Sequence, residues 1–525
     1  MKKRLFLGFL AVLVVLQVPS HDQDLWTSSL NKARAIAKVL EENYYRPVGE
    51  EDLAVAAIRG TLETLDPHSY FLDPSSFSRM REDYVGKYYG TGMQIQKQGD
   101  DIVVVAPIEG GPAYRLGVLP GDIISKIDGE SAVPLSSYDA MQKLRGEKGT
   151  PVTITFVRDG ADKPFDLTIV REEIPLLSVP YAFLLEDGIG YIYIRTFGEE
   201  TPRELEDALK KLTAEGMTSL VLDLRLNTGG ALAASVEIAD LFLPRGALIV
   251  SMKGRNRVYD RAFPAYRNDQ YEGLPLVILI DQGTASASEI VSGAVMDHDR
   301  GLIVGEDSWG KGLVQTVFPL APDMAVALTV AKYLTPSGRS IQRDYTHIDD
   351  YLLSKRAPDE SREVFYTDGG RKVLGQGGIT PDYAVNSYIK PFTGRLRLNG
   401  AFFNYARRLV QHQTDLGRKL VLPDEPRPAG AAAAGKILIG AAFVVNDAVV
   451  ADFRKFLEAN KAAYKLTYED KTFKDAETEI RRELEREIAG AVWGVDAGIR
   501  VSRQSDPAVL KAIEVMPEAS RLLRK

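Results

Sequence analysis

At 525 residues the chain exceeds the size at which a single hydrophobic core stops growing, so roughly three or four domains are expected. With 45% hydrophobic and 26% charged residues it has the balance of a water-soluble protein, and a formal net charge of −7 gives no general electrostatic pull on nucleic acid. Cysteine is absent, which excludes disulfides, thiolate zinc sites and a cysteine nucleophile.

Met1-Lys2-Lys3-Arg4 precedes an apolar run at 5–18. The run is short for a membrane span and fits a secretory leader over 1–20 with cleavage after Ser20; an uncleaved anchor is the competing reading, and both imply export to the periplasm or cell envelope. Residues 25–85 read as helical, with Leu30, Ala33, Ala37 and Leu40 and then Ala54, Ala57, Ile58 and Leu62 at helical spacing, punctuated by Leu65-Asp66-Pro67-His68-Ser69. From 86 to 174 the pattern changes to short β runs at 102–105, 123–127, 152–157 and 165–170, separated by glycine and proline turns.

Over 175–390, apolar strand runs at 189–194, 220–224, 276–280 and 302–304 alternate with helical segments at 202–212, 231–241 and from 286. Such alternation predicts an α/β layer with its site on loops at the carboxyl ends of the strands. Residues 391–525 read as helical, with a linker at 423–435 and an apolar stripe of Ile480, Leu484 and Ile488 that serves packing or dimerisation. The fold class expected is therefore α/β multidomain, with helical regions at both ends.

Three loops carry the chemistry. Ser286, in Gly283-Thr284-Ala285-Ser286-Ala287-Ser288-Glu289, opens a helix; its hydroxyl is either a plain N-cap with Glu289 completing a capping box, or a nucleophile beside free N–H groups. Lys311, in Trp309-Gly310-Lys311-Gly312-Leu313-Val314-Gln315, is either a hairpin surface lysine or a desolvated amine that takes a proton from the serine. An ideal strand would place Gln315 about 13 Å from Lys311 on the same face, and a bend at Gly312 can close that gap; an ordinary strand residue is the other reading. In Asn227-Thr228-Gly229-Gly230 the N–H of Gly229 or Gly230 can join that of Ala287 in an oxyanion hole, or the loop is a simple turn.

Two rival motifs share the lysine. Gly305-x4-Gly310-Lys311 resembles a phosphate-binding loop, but Gly312 occupies the magnesium-ligand position and a strand follows where a helix is required. Ser308-x-x-Lys311 has the penicillin-binding-protein spacing but needs a helix that Gly310 disfavours. His298, between Asp297 and Asp299, reads as a loop residue after a helix, and the histidines form no ligand-spaced pair, so no metal or organic cofactor is implied.

These segments, with Tyr89-Gly90-Thr91-Gly92-Met93, Pro112-Ala113, Pro120-Gly121-Asp122, Leu144-Arg145-Gly146, Asp223-Leu224-Arg225 and Thr335-Pro336-Ser337-Gly338-Arg339, resemble the carboxy-terminal processing peptidases, or tail-specific proteases, over about 30–385. The resemblance implies Ser286 as nucleophile, Lys311 as general base, Gln315 as the third member and Asp297 in a supporting role. It also implies that 86–174 is a PDZ domain whose Tyr89, Gly90, Thr91 and Gly92 loop takes the terminal carboxylate of a peptide. The substrates implied are proteins with apolar C-terminal tails, and a homo-oligomer and an adaptor are expected partners. Thr228 and Thr284 depart from the family's usual proline and serine without removing a donor or the nucleophile. The stretch 343–377 is an insertion relative to the family, and 391–525 lies outside the resemblance. A scaffold that binds tails without cutting them is the competing class.

Overall fold

The computed structural model describes residues 23–267, 271–352, 361–386, 389–423, 437–438 and 444–523. The expected leader, and all of the expected linker except Pro423, lie outside them. The described residues divide into two units, those up to 74 with 315–329, and those of 75–314 with those from 330 onward.

In the first unit, helices Gln23–Asn43 and Glu50–Glu63 are followed by a turn and the strand Tyr70–Leu72, which pairs antiparallel with residues 325–327. The strand follows the expected break at 65–69 and interrupts the region read as helical to residue 85. Its cause is Asp66, whose carboxylate accepts the His68 N–H at 2.8 Å and the Ser69 hydroxyl at 2.7 Å, closing the turn that Pro67 begins. The apolar residues of the first helix are not covered: Leu30 is 62% and Leu40 is 40% exposed.

The second unit begins its β-rich part with strands Met93–Gln98, Asp101–Pro107, Ile123–Ile127, Pro151–Val157 and Phe165–Val170, paired in that order. Helix Ser137–Leu144 is started by a capping box between Ser136 and Asp139. Alternate residues, among them Ile102, Val104, Ile124, Val152, Ile154 and Ile169, form its core. Buried Asp122 is satisfied by both Nε and Nη2 of Arg158 at 2.7 Å.

The α/β part is a six-stranded sheet in the order Tyr181–Leu184, Ile189–Tyr193, Ser219–Asp223, Leu276–Ile280, Leu302–Gly305 and Tyr383–Ala384. Only the first pairing is antiparallel. A parallel sheet must bury both faces. Leu220, Leu222, Ile278 and Ile280 point to one side, under helices Thr201–Ala214, Leu232–Asp240 and Ala287–Asp297. Val221, Val277 and Leu279 point to the other, where Val509, Ala512, Val515 and Met516 of the terminal helix Pro507–Leu522 cover them. Each such Val or Met contributes about 1.5–3 kcal/mol by burial, so the terminal helix is part of the sheet's core. The preceding helices, from Pro391 to Trp493, enclose a separate core of Phe402, Tyr405, Phe453 and Leu484. Ile480, Leu484 and Ile488 are fully buried within it, which assigns the stripe to packing inside one chain.

Asp223 lies on the terminal-helix side and is fully buried. Burial alone would raise its carboxyl, but Arg225 and then Arg503 overrule that and hold it below the ordinary carboxylate range. Asp223→Asn should therefore cost about 3–5 kcal/mol at neutral pH, since it leaves the buried guanidinium groups of Arg225 and Arg503 sharing the single anion of Asp506. A depressed native pKa stabilises above the unfolded value and is lost as pH falls through the native one, so the gap in melting temperature between wild type and variant should close below about pH 4.

Candidate active site

The strand Leu276–Ile280 leads into a tight turn at the carboxyl end of the sheet. Asp281 accepts the Gly283 N–H at 2.9 Å, and the Thr284 hydroxyl donates to the Leu224 carbonyl at 2.9 Å. Ser286 follows with φ 58° and ψ −114°, a conformation costly for a residue with a Cβ, and the helix Ala287–Asp297 starts immediately after it. The hydroxyl is thereby carried on a sharp strand-to-helix elbow. Glu289 accepts the Ser286 N–H at 2.7 Å and returns its own N–H to the Ser286 carbonyl at 2.8 Å, so the Glu289 half of the expected capping box coexists with the elbow.

Glu289 also reaches the lysine loop. Its fully buried carboxylate accepts the Ser308 hydroxyl at 2.5 Å, the Gly310 N–H at 2.7 Å and the Lys311 N–H at 3.0 Å. Burial pushes this carboxyl up, and the hydrogen bonds from Ser308, Lys311, Ser286 and Gly310 oppose the rise. The Tyr333 hydroxyl adds a second link, 2.7 Å from the Lys311 carbonyl and 3.2 Å from the Ser286 carbonyl. The Trp309 N–H donates to the Thr284 carbonyl at 2.8 Å. Serine and lysine segments are thus held as one body, with both side chains half-buried. Ser308, the rival serine, donates to Glu289 and accepts the Ile379 N–H at 2.7 Å, which makes it a structural post. The strand Leu313–Ala321 follows Gly312, in place of the helix a phosphate-binding loop requires.

The glycine loop is fixed against the same elbow. Asn227 donates from its carboxamide to the Ile194 carbonyl at 2.8 Å, while its own carbonyl accepts the Ala285 N–H and the Ser288 hydroxyl, both at 3.0 Å. Gly229 has φ 99°, and a Cβ there would lie 2.8 Å from the Ser286 Cβ. Its N–H, one of the expected oxyanion donors, is engaged by the Asn227 Oδ1 at 2.9 Å.

The other expected residues lie elsewhere. Gln315, in the first unit, donates to the Thr329 hydroxyl at 3.1 Å, and that hydroxyl donates to Asp66 at 3.1 Å. Asp297 ends the helix that Ser286 begins, roughly 16 Å along it; it is buried against Arg339 at 2.7 Å and accepts the Ser337 hydroxyl at 2.7 Å, so it locks the 335–339 turn. His298 bridges Asp368 and the Leu248 carbonyl, each at 2.7 Å, and among the described residues no acidic or histidine cluster could hold a metal. In the β-rich domain Tyr89 is exposed, whereas Gly90, Thr91 and Gly92 are buried; the Thr91 and Gly92 carbonyls accept from Ala113 and Ile108. Tyr333 and the side-chain role of Asn227 were not visible in the sequence, because neither has a motif and both act through contacts made only on folding.

The model of peptidase family S41 matches residues 188–350, and that of the PDZ domain matches residues 103–158. A carboxy-terminal-processing protease of Bartonella bacilliformis is 38% identical over 341 residues, covering 64% of this chain and 78% of its own length. A probable CtpA-like serine protease of Staphylococcus aureus is 34% identical over 400 residues, covering 71% of this chain and 79% of its own. Among solved structures, a photosystem II D1 C-terminal processing protease is 30% identical, with 71% of this chain and 95% of that one covered and a TM-score of 0.36.

Glu289→Gln replaces one acceptor oxygen by an NH2 group facing N–H donors, and should cost about 3 kcal/mol, read as a fall of several degrees in the melting temperature. Gly229→Ala should be at least as damaging locally, since the new methyl meets the Ser286 Cβ at 2.8 Å on a backbone that disfavours it. Increased hydrogen exchange around 285–289 in that variant would register the displaced elbow.

Proposed function

The chain belongs to the carboxy-terminal-processing proteases of peptidase family S41 and is a serine-type peptidase, and on that premise we propose that it is an exported endopeptidase cutting tailed proteins with a Ser286/Lys311 dyad. The observation that carries the dyad is the Glu289 carboxylate, which accepts backbone N–H groups of both Ser286 and Lys311 and so fixes the two segments against each other.

In the proposed reaction the neutral Lys311 amine takes the Ser286 hydroxyl proton as the oxygen attacks the scissile carbonyl. A substrate strand laid over the half-buried amine removes its remaining water and lowers the cost of its neutral form. The tetrahedral oxyanion accepts from the N–H groups of Gly230 and Ala287, at the mouth of the helix Ala287–Asp297, whose N-terminal dipole favours negative charge. Collapse passes the proton from Lys311 to the departing amine and leaves an acyl-Ser286 ester. Water, giving its proton to Lys311, then attacks the ester, and Lys311 returns that proton to the departing Ser286 oxygen, which releases the acid and restores the hydroxyl and the neutral amine. Gln315 is the third member of the set by correspondence of sequence, and Asp297 supports it from a distance by fixing the 335–339 turn.

Selection of tails falls to the PDZ domain. Its strand Met93–Gln98 lies at the edge of the sheet, so a peptide can add as a further strand while its carboxylate meets N–H groups of the 89–92 loop. Apolar tails, an adaptor, a homo-oligomer and export to the periplasm or envelope belong to the same proposal, from the resemblance. Among the described residues no helix is long and apolar enough to cross a membrane.

Ser286→Ala and Lys311→Ala should each lower cleavage of a tailed peptide by at least about 10³-fold, with peptide binding unchanged by fluorescence anisotropy. Ser308→Ala should keep measurable turnover at reduced stability, because it removes a bond to Glu289 and not the nucleophile. Full turnover in Ser286→Ala would refute the assignment.

A further inference from the structure

The match to the peptidase model ends at residue 350, yet the N-cap of the helix Pro507–Leu522 contacts Arg225, which precedes the loop that borders Ser286. Asp506 caps that helix by accepting the N–H groups of Ala508 at 2.9 Å and Val509 at 3.3 Å. The same carboxylate accepts from Arg225 Nη1 at 3.0 Å. Arg225 in turn holds Asp223 through Nε at 2.9 Å and Nη2 at 2.6 Å, and gives Asp223 its backbone N–H at 3.0 Å. Arg503 completes the group: it donates to the Tyr191 hydroxyl at 2.7 Å, which donates to Asp223 at 2.7 Å, and it lies 3.3 Å from Asp506. Two cations and two anions are therefore balanced in a nearly closed site, one pair from the sheet and one from the tail.

We propose that the tail is a working part of the peptidase, with Asp506 as a positioning residue that acts through Arg225 on the 227–230 loop. The residue after Arg225, Leu226, turns at φ 58°, and from there the chain enters Asn227 and Gly229, which is packed on Ser286. Arg225 is fixed at its backbone and at both ends of its guanidinium, so the strand end leaves the sheet in one direction. Without the Asp506 charge, Arg225 and Arg503 face the single anion of Asp223, and the guanidinium gains by turning toward water. That movement pulls on the backbone from which the loop departs. The inference rests on the reading of this loop as an oxyanion donor, and assigns a catalytic consequence to a segment beyond the family's matched residues.

Asp506→Asn is the informative variant, because asparagine caps a helix as well as aspartate does and only the charge is lost. Expected are a fall in kcat of about tenfold with KM within about twofold, as for a slightly misplaced donor, and faster hydrogen exchange over 226–230 in the full-length enzyme. Asp506→Glu should recover part of the rate. Met516→Ala, which weakens the same helix away from Arg225, should lower the melting temperature and leave both loop exchange and kcat unchanged. Unchanged exchange over 226–230 in Asp506→Asn, whatever the rate, would overturn the positioning role. Faster exchange with unchanged kcat would overturn its catalytic consequence by removing the loop from the oxyanion hole, while the Ser286→Ala result stands apart. A loss of rate in Met516→Ala equal to that in Asp506→Asn would reduce the tail to bulk stability and also overturn the proposal.

Discussion

A single buried carboxylate organises the site. Glu289 has no exposure to water and is kept inside the protein by hydrogen bonds from the serine elbow and the lysine loop. Leaving those donors without an acceptor, or the carboxylate without donors, is expensive in a low-dielectric interior. The two loops therefore cannot drift apart without breaking a network whose members are satisfied only together. Preorganisation of the serine and the lysine segments is a consequence of this satisfaction requirement, and the strained backbone at Ser286 is tolerated because the surrounding bonds over-determine it.

The sheet imposes the second constraint. Its strands alternate apolar side chains to both faces, so it requires two layers of cover. The helices between the strands supply one layer. The other comes from the far end of the chain, and with it come Arg503 and Asp506, which neutralise the charges that Asp223 and Arg225 bring into the same layer. Hydrophobic cover and charge balance are thus met by neighbouring parts of one segment, residues 503–516, which joins the sheet at Asp223 and Arg225.

The alternation of apolar runs made the α/β sheet and the β-rich domain legible, and Ser286-x-x-Glu289 revealed a helix start. What was ambiguous in the sequence was ambiguous for a physical reason. A capping serine and a serine on an elbow share one local pattern, and the chain uses both. Asn227-Thr228-Gly229-Gly230 announced a loop with accessible N–H groups, but not that the Asn227 side chain consumes that of Gly229. Ile480, Leu484 and Ile488 showed a stripe without showing its partner, which turned out to be the chain's own helices.

By itself the sequence determined the local states: which segments become strands or helices, where glycine is required, and which side chains could do chemistry. Periodicity and turn chemistry act over a few residues, and those are visible in a string of letters. Only the tertiary structure decided which local features meet: Tyr333 between the Ser286 and Lys311 carbonyls, Ser308 buried as a post, and the last helix against the second face of the sheet. Contacts between residues far apart in the chain depend on the burial and hydrogen-bond satisfaction of the whole fold, and no spacing rule encodes them.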